Sequence, residues 1–407
     1  MRWGFAPSLP GLRRPRLSRS AVTYLAYLTA VGLVFGYGLF LVQRVYAAYS
    51  FLKGDHLGFR GRVHQADPEL GFAAVPRAAG FHVFPVGSPI PMHYDADGFR
   101  IPDGQPQDTP RPRPLMLALG CSFTYGDGTR AEQTWPHLVA SALGGTELNA
   151  GKCAYGLAQM LVLARRLIPR YRPDYVLVQF STWLPGRGTS GFARATFGNV
   201  PVPSLLLHSD GTVDVQPPAF QTVVFDLPFH EFDNKHRGVG EFLSFFFRAG
   251  APLFIRDDLN LAAYTLKRSL GRFPEAEQDR ARLNREELNR VVYREMGRLA
   301  AAHSARMVIV RLSHPLEKDW QRLRELSPGA LVVNAQAVLD AHVPSGKRED
   351  YYKIFGHWRG SPPRLVDTHP NPAAHRVIAD AVVRAIKAER TRPFRGTEIA
   401  TGKWANR

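Results

Sequence analysis

The sequence lacks the patterns that hold metals, nucleotides and nucleic acids. The chain has only two cysteines and its 14 histidines are dispersed, so no cluster has the spacing of metal ligands. Neither a P-loop nor a dinucleotide-binding glycine pattern occurs, and the glycines around residues 128–130 lack the spacing that phosphate binding needs. There is no internal repeat. We therefore expect no metal and no cofactor.

Acidic residues are also scarce, with 35 Asp and Glu against 52 Lys and Arg, which gives a net charge of +17. A positive field raises the local concentration of any polyanion. The arginines are scattered along the chain, however, and no nucleic-acid-binding motif accompanies them. We expect no nucleic-acid partner. With 407 residues, of which 45% are hydrophobic, the chain can bury a sizeable core.

A long uncharged run lies near the N-terminus, from Ala21 to Val42. At 1.5 Å per residue it covers about 33 Å, enough for the roughly 30 Å hydrocarbon layer of a bilayer. The sequence therefore predicts a single transmembrane helix over residues 21–43. The alternative is a cleaved signal peptide, but the run exceeds the usual apolar core of about 7–15 residues, and Tyr46 disfavours cleavage after Ala48.

The orientation of this helix follows from the basic residues at its two ends. Residues 1–20 contain five arginines, whereas only Arg44 and Lys53 follow the run closely. The positive-inside rule therefore predicts a cytoplasmic N-terminus. The sequence thus predicts an inner-membrane protein whose remaining chain is periplasmic.

Residues 44–113 form a small β-rich preface that ends in a linker. The Asp97-Gly98 pair between extended stretches predicts a hairpin turn, and residues 102–114 are too rich in proline and polar residues to pack a core. The main domain is then predicted over residues 114–390. The basic tail at residues 391–407 is expected to be loosely ordered.

From Leu115 onward, short apolar runs alternate with longer helical ones. Such alternation predicts an α/β fold, a three-layer α/β/α sandwich around a five-stranded parallel sheet, with its ligand site at the carboxyl ends of the strands. The strands are predicted near residues 115–119, 146–149, 175–181, 306–311 and 330–334. The helices are predicted near residues 131–143, 157–170, 276–303, 316–326 and 371–389.

An insertion interrupts this alternation at residues 184–272 and should lie over the carboxyl edge of the sheet. It contains an aromatic run, Phe242 to Phe247. The run packs either within the insertion or against the bilayer surface near the anchor.

Ser122 directly follows the first predicted strand, within G-C-S-F-T-Y-G (Gly120 to Gly126). A serine on such a turn points into the ligand crevice, and the backbone N–H groups of the turn can face a developing oxyanion. Taken alone, Ser122 could equally be a helix cap.

A base for this serine is available near the C-terminus, where Asp367 and His369 share a turn before an amphipathic helix. Serine becomes nucleophilic beside a base, and the base needs a carboxylate to hold its tautomer. Alone, His369 could be a surface or capping residue. His375, within the helix, is expected to be structural.

The two segments together resemble the SGNH/GDSL hydrolase family, over about residues 114–390. The matching stretches are the Ser122 turn and D-T-H-P-N (Asp367 to Asn371). The resemblance implies a flavodoxin-like sheet of order 2-1-3-4-5 and a catalytic triad of Ser122, His369 and Asp367.

The resemblance also implies an oxyanion hole, in which this sequence departs from the family twice. Ala154 replaces a glycine in N-A-G-K-C-A-Y-G, and its N–H can donate without strain only if the turn does not demand positive φ. The family asparagine after the third strand is absent. Thr182 stands there, and Arg187 just beyond is another possible donor. The expected hole is formed by Ser122, Ala154 and Thr182.

Cys121 and Cys153 each follow one of two strands that the family order makes neighbours. In an oxidising compartment we expect a disulfide between them, which would fix the nucleophile turn against the oxyanion turn. Alternatively they are two separate buried thiols.

Two functions are consistent with the sequence. The first is an esterase or acyltransferase that acts through a covalent Ser122 ester, with a carbohydrate acetyl ester as the substrate implied by the resemblance. The second is an inactive module that binds polysaccharide or a partner in a membrane assembly. The intact set of Ser122, Asp367 and His369 favours the enzyme. The oligomeric state does not follow from the sequence.

Overall fold

The computed structural model of the 407-residue chain describes residues 18–53, 58–83, 89–195, 198–227, 238–270, 285–313 and 325–391. Its strands are β1 (Gly58–Arg60), β2 (His64–Asp67), β3 (Gly71–Ala74), β4 (Ala79–Val83), β5 (Ile90–Tyr94), β6 (Arg100–Ile101), β7 (Leu115–Leu119), β8 (Thr146–Asn149), β9 (Tyr175–Phe180), β10 (Phe192–Ala195), β11 (Gly198–Pro201), β12 (Ser204–Leu207), β13 (Val213–Gln216), β14 (Arg306–Arg311), β15 (Leu331–Val333), β16 (His357–Arg359) and β17 (Arg364–Asp367). Its α-helices are α1 (Arg19–Lys53), α2 (Ser122–Tyr125), α3 (Trp135–Ala142), α4 (Leu157–Tyr171), α5 (Leu184–Gly188), α6 (Val239–Phe245), α7 (Ala251–Ser269), α8 (Arg285–Ala302), α9 (Ala335–Asp340), α10 (Arg348–Phe355) and α11 (Pro372–Arg390).

The central sheet is parallel and has the order β15-β14-β9-β7-β8. Numbered along the chain and listed from the β8 edge, these five strands have the order 2-1-3-4-5. The predicted fold class and sheet order are therefore confirmed. All side chains of β7 and β9 are buried, as expected for strands covered on both faces.

Helices cover the sheet on both faces. On one face, α4 and α8 bury a core that includes Leu117, Leu161 and Met296. On the other face, α3, α9 and α11 bury a second core around Ala118 and Ile378. Each helix presents one apolar stripe to the sheet, which gives three layers.

The first, second and last predicted helices are confirmed with small shifts at their ends, and the third is confirmed over Arg285–Ala302. The fourth predicted helix, 316–326, lies largely outside the described residues, as do residues 276–284 of the third and the tail beyond residue 391.

The preface is β-rich as predicted. Its strands form an antiparallel sheet of order β1-β4-β5-β6 and a separate β2-β3 hairpin. The Asp97-Gly98 turn joins β5 to β6, and Gly98 has a φ of +84°, which glycine adopts without a steric penalty.

The long N-terminal helix α1 is apolar enough to cross a membrane by length and composition. Only 6% of its apolar window is buried within the protein. Its C-terminal end, by contrast, packs against the insertion, in a cluster that contains Val45, Tyr49, Phe245 and Phe254. Part of the aromatic run therefore packs in a core, while Phe247 remains 72% exposed.

Candidate active site

The turn after β7 holds Ser122 at the carboxyl edge of the sheet. Ser122 is the first residue of α2, and the amide of Gln179 on β9 fixes the turn: its Oε1 accepts bonds from the Cys121 N–H (3.0 Å) and the Thr124 hydroxyl (2.8 Å). A Cβ on Gly120 would lie 2.1 Å from the Thr124 hydroxyl oxygen. Only glycine therefore fits where the strand enters this turn.

A second turn, between β17 and α11, holds the histidine. The Asp367 carboxylate accepts the His369 backbone N–H (2.6 Å) and also lies 2.6 Å from Nδ1 of the same residue. Asn371 caps α11 by accepting the Ala374 N–H (3.0 Å), while its Nδ2 donates to the Gly356 carbonyl (3.0 Å). Contacts of Asp367 before His369 and of Asn371 after it thus hold the turn in place.

The two turns meet although Ser122 and His369 are 247 residues apart, and Ser122 Oγ lies 2.9 Å from His369 Nε2. With Asp367 ionised, Nδ1 carries the imidazole proton and Nε2 is free to accept the serine proton. Burial opposes ionisation of Asp367, but the hydrogen bonds and charge of His369, together with the charge of His357, outweigh burial and lower the pKa of the carboxyl. The ring of Phe123 packs edge-on against the imidazole, 5.4 Å between centroids.

A second carboxylate, Asp127, lies on the serine side of the imidazole, 3.8 Å from His369 Nε2. Burial disfavours the imidazolium, but the Asp367 hydrogen bond and the charges of Asp127 and Asp367 together outweigh burial and raise the pKa of His369 above its ordinary value of 6.5. Because a base acts in its neutral form, this arrangement sets the lower pH limit of any proton transfer to His369.

The turn that carries Ala154 does demand positive φ. Ala154 has a φ of +63°, a conformation that costs a non-glycine residue about 1–2 kcal/mol. Asn149, at the end of β8, stabilises the turn by accepting the Gly151 N–H (3.1 Å) and donating to the Thr124 carbonyl (3.0 Å). The turn therefore has a conformation that favours glycine, and alanine holds it under strain.

Thr182 and Arg187, which follow β9, differ in the hydrogen-bond donors that they present to the site. The backbone N–H of Thr182 is donated to Ser313 Oγ (3.2 Å), which leaves only its exposed hydroxyl for a ligand. Arg187, on α5, donates from Nη1 to the Tyr155 carbonyl (3.3 Å), next to Ala154. Its positive charge also acts to lower the pKa of His369.

The structure does not contain the predicted disulfide, because both cysteines are free thiols with different neighbours. Cys121 is fully buried, and Gln179 Nε2 donates to its sulfur (3.2 Å). Cys153 donates its thiol proton to Asp127 Oδ1 (2.7 Å). Burial and the Asp127 charge raise the pKa of the Cys153 thiol well above its ordinary value.

The preface reaches into the site through Arg100 of β6, which is 2% exposed. Its guanidinium donates to the carbonyls of Tyr125 (2.9 Å), Gly126 (3.1 Å) and Thr129 (2.6 Å), all on the segment that follows Ser122. Lys152 adds a second link, since its buried ammonium donates to the Tyr94 hydroxyl (3.3 Å), and burial lowers its pKa to about 7.

The sequence predicted that Ser122, His369 and Asp367 come together, but it did not indicate the residues that hold or flank them, which are Arg100, Asp127 and Gln179. Asp127 was visible within the serine motif, five residues after Ser122. Arg100 and Gln179 carry no local signal, because each acts on a turn that lies far away in sequence.

No family model matches the chain, and no curated protein matches it. Among solved structures, the chain is similar to a protein described as lipolytic and of the G-D-S-L family from Desulfitobacterium hafniense, with 10% identity, a TM-score of 0.32 and coverage of 67% of this chain and 99% of that one. It is also similar to the esterase EstA from Pseudoalteromonas, with 11% identity, a TM-score of 0.32 and coverage of 69% and 100%. A third is the acetylxylan esterase Axe2 from Geobacillus stearothermophilus, with 14% identity, a TM-score of 0.25 and coverage of 68% and 94%.

The sheet order and the positions of the two turns at its carboxyl edge are those that the sequence resemblance implies.

Proposed function

We propose that the protein is a serine hydrolase or acyltransferase that cleaves acyl esters through a covalent Ser122 intermediate. The observation that carries the proposal is the relay of contacts from Ser122 Oγ to His369 Nε2 (2.9 Å) and from His369 Nδ1 to Asp367 Oδ1 (2.6 Å). These distances lie within hydrogen-bond reach, as nucleophilic catalysis by serine requires.

In the first half-reaction, Ser122 Oγ attacks the ester carbonyl while its proton passes to His369 Nε2. The tetrahedral intermediate collapses, the C–O bond to the alcohol breaks, and His369 returns the proton to the leaving oxygen. In the second half-reaction, His369 deprotonates water or a sugar hydroxyl, which attacks the acyl carbon. The C–O bond to Ser122 then breaks, and His369 returns the proton to Ser122 Oγ. Asp367 stabilises the imidazolium in both halves.

The negative charge on the carbonyl oxygen needs donors, and the N–H groups of Ser122 and Ala154 are the first two candidates. For the third we favour Arg187 over Thr182. Arg187 lies beside the Ala154 turn, where it donates to the Tyr155 carbonyl, whereas the Thr182 N–H is engaged by Ser313. Loss of one such donor typically lowers the rate by about 10²–10³.

The substrate class follows from the sequence resemblance. Anchored members of the family modify acetyl groups on exported or cell-wall polysaccharide, which favours a carbohydrate acetyl ester here. In this proposal α1 anchors the protein in the inner membrane, its N-terminus is cytoplasmic, and the triad faces the periplasm.

A binding module is the second candidate, and the strained Ala154 turn together with the missing asparagine favours it. Such a protein would hold the same ester or glycan in the crevice without cleaving it.

The test is to label the full-length protein in detergent with a fluorophosphonate and to locate the adduct by peptide mass spectrometry. The enzyme proposal predicts an adduct on Ser122 that is lost in His369→Ala and retained in His375→Gln, since His375 accepts the Trp135 N–H (3.1 Å) away from the triad. The absence of an adduct from a folded protein would favour the binding module.

A further inference from the structure

The insertion contains a long helical segment that packs on the end of the anchor helix. We call the stretch formed by α6, the π-helical turn Phe246–Gly250 and α7 the arm helix. Gly250 lies so close to α1 that an added Cβ would be 2.6 Å from Val45. The contact of the arm with α1 therefore spans the end of the apolar run, from Phe242 against Tyr49 to Asp258 at Tyr37.

The inner face of α7 holds both of its carboxylates. Asp258 pairs with Arg44 of α1 (2.7 Å) and accepts the Tyr37 hydroxyl (2.9 Å). Asp257 accepts the hydroxyl of Thr222 and the backbone N–H of Val223. The negative charges of α7 are therefore engaged by the protein itself.

The outer face of α7 is an apolar stripe that the described part of the protein leaves exposed. Its large members are spaced by 4, 7 and 4 residues and so lie on one side of the helix. They are Ile255 (38% exposed), Leu259 (65%), Leu266 (61%) and Leu270 (61%). Phe247, in the π-helical turn that precedes α7, is exposed as well.

Cations flank this stripe. Arg256 and Lys267 are both exposed, and each follows a member of the stripe by one residue. An exposed helix with an apolar stripe, a cationic edge and inward-facing carboxylates has the character of helices that lie in the membrane interface. Each basic residue near an anionic surface adds about 1 kcal/mol of attraction.

We propose that the outer face of α7 lies in the headgroup region of the membrane that α1 spans, in contact with anionic phospholipid. The bilayer is the occupant that fits these observations. The arm packs against α1 at the end of the apolar run, and the exposed charges of α7 are positive. This inference is independent of the ester chemistry at Ser122, and it rests on α1 being a membrane anchor.

The experiment uses the full-length protein in nanodiscs of phosphatidylcholine and phosphatidylglycerol. A photoreactive benzoylphenylalanine replaces Leu259 or, in a second variant, Leu266. In the matched control, benzoylphenylalanine replaces Ile354 of α10, a side chain of the main domain that is 42% exposed. Unfolding is measured for each variant to establish that it is folded, and the photoproducts are identified by mass spectrometry.

We expect phospholipid adducts at both stripe positions and none above background at Ile354. Replacing phosphatidylglycerol by phosphatidylcholine should reduce the yield of phospholipid adducts at the stripe. The expected reduction is about fivefold for each cation that contacts the anionic surface, since each contributes about 1 kcal/mol. Protein–protein crosslinks at the stripe would overturn the proposal in favour of a second copy. Lipid adducts no more frequent at the stripe than at Ile354 would also overturn it.

Discussion

Arg100 offers the most direct test of whether the preface belongs to the active site, and the informative change is Arg100→Met. Methionine keeps much of the apolar volume but removes every donor. The Gly126 carbonyl retains the Thr129 N–H (3.1 Å), whereas the carbonyls of Tyr125 and Thr129 lose the donor that Arg100 supplies. A buried group left without its partner costs about 1–3 kcal/mol. We therefore expect a loss of about 2–6 kcal/mol in the free energy of unfolding.

The same change should slow the reaction at Ser122. The three carbonyls lie within seven residues of the nucleophile, so their release allows the turn to shift. A misplacement of about 1 Å can cost about 10²-fold in rate. We expect a fall of this order in kcat for p-nitrophenyl acetate with little change in KM, and a matching fall in the rate of fluorophosphonate labelling.

The matched control is Arg130→Met. Arg130 lies on the same segment, but its side chain is half exposed and its nearest carboxylate, Glu132, is 3.7 Å away. Exposed ion pairs of this kind contribute about 0–1 kcal/mol. Urea unfolding of both variants in detergent measures the difference. Equal stability and equal labelling rates for the two variants would refute the role assigned to Arg100.

Two further predictions concern the proposed base and the oxyanion turn. The pKa of His369 is raised, so kcat/KM should fall with decreasing pH through a midpoint above 6.5. Asp127→Asn removes a negative charge that raises this pKa and should move the midpoint down. Arg187→Met removes a positive charge that lowers it and should move the midpoint up. A pH–rate profile with a fixed midpoint in both variants would contradict the charge arrangement. Ala154→Gly removes the cost of a φ of +63° and should raise the free energy of unfolding by up to about 1 kcal/mol. Urea unfolding measures this change. A clear loss of stability would contradict the strain assigned to Ala154.

The sequence predicted the sheet and the triad because both leave local signals. Each buried strand is a short apolar run, and Ser122 and His369 both lie on turns next to regular elements whose positions the pattern indicates. The boundaries within the insertion did not follow from the sequence, since α6 and α7 pack against α1 and the two hairpins pack on the main core, both through contacts distant in sequence.

The disulfide prediction was wrong for a physical reason that residue order cannot reveal. Neighbouring strands bring Cys121 and Cys153 to the same edge of the sheet, but the direction of each side chain depends on its turn. Cys121 points into the core beside Gln179, and Cys153 points to Asp127. Disulfide formation requires both proximity and convergent side chains.

The separation of 247 residues between Ser122 and His369 has a consequence for how the protein is made. Synthesis proceeds from the N-terminus, so the nucleophile leaves the ribosome long before its base. The oxygen of Ser122 acquires a proton acceptor only when α11, the last described helix, docks against α3 and brings the His369 turn with it. In the proposed mechanism, a nascent or truncated chain therefore lacks an activated serine, and reactivity at Ser122 would report that the whole domain has folded.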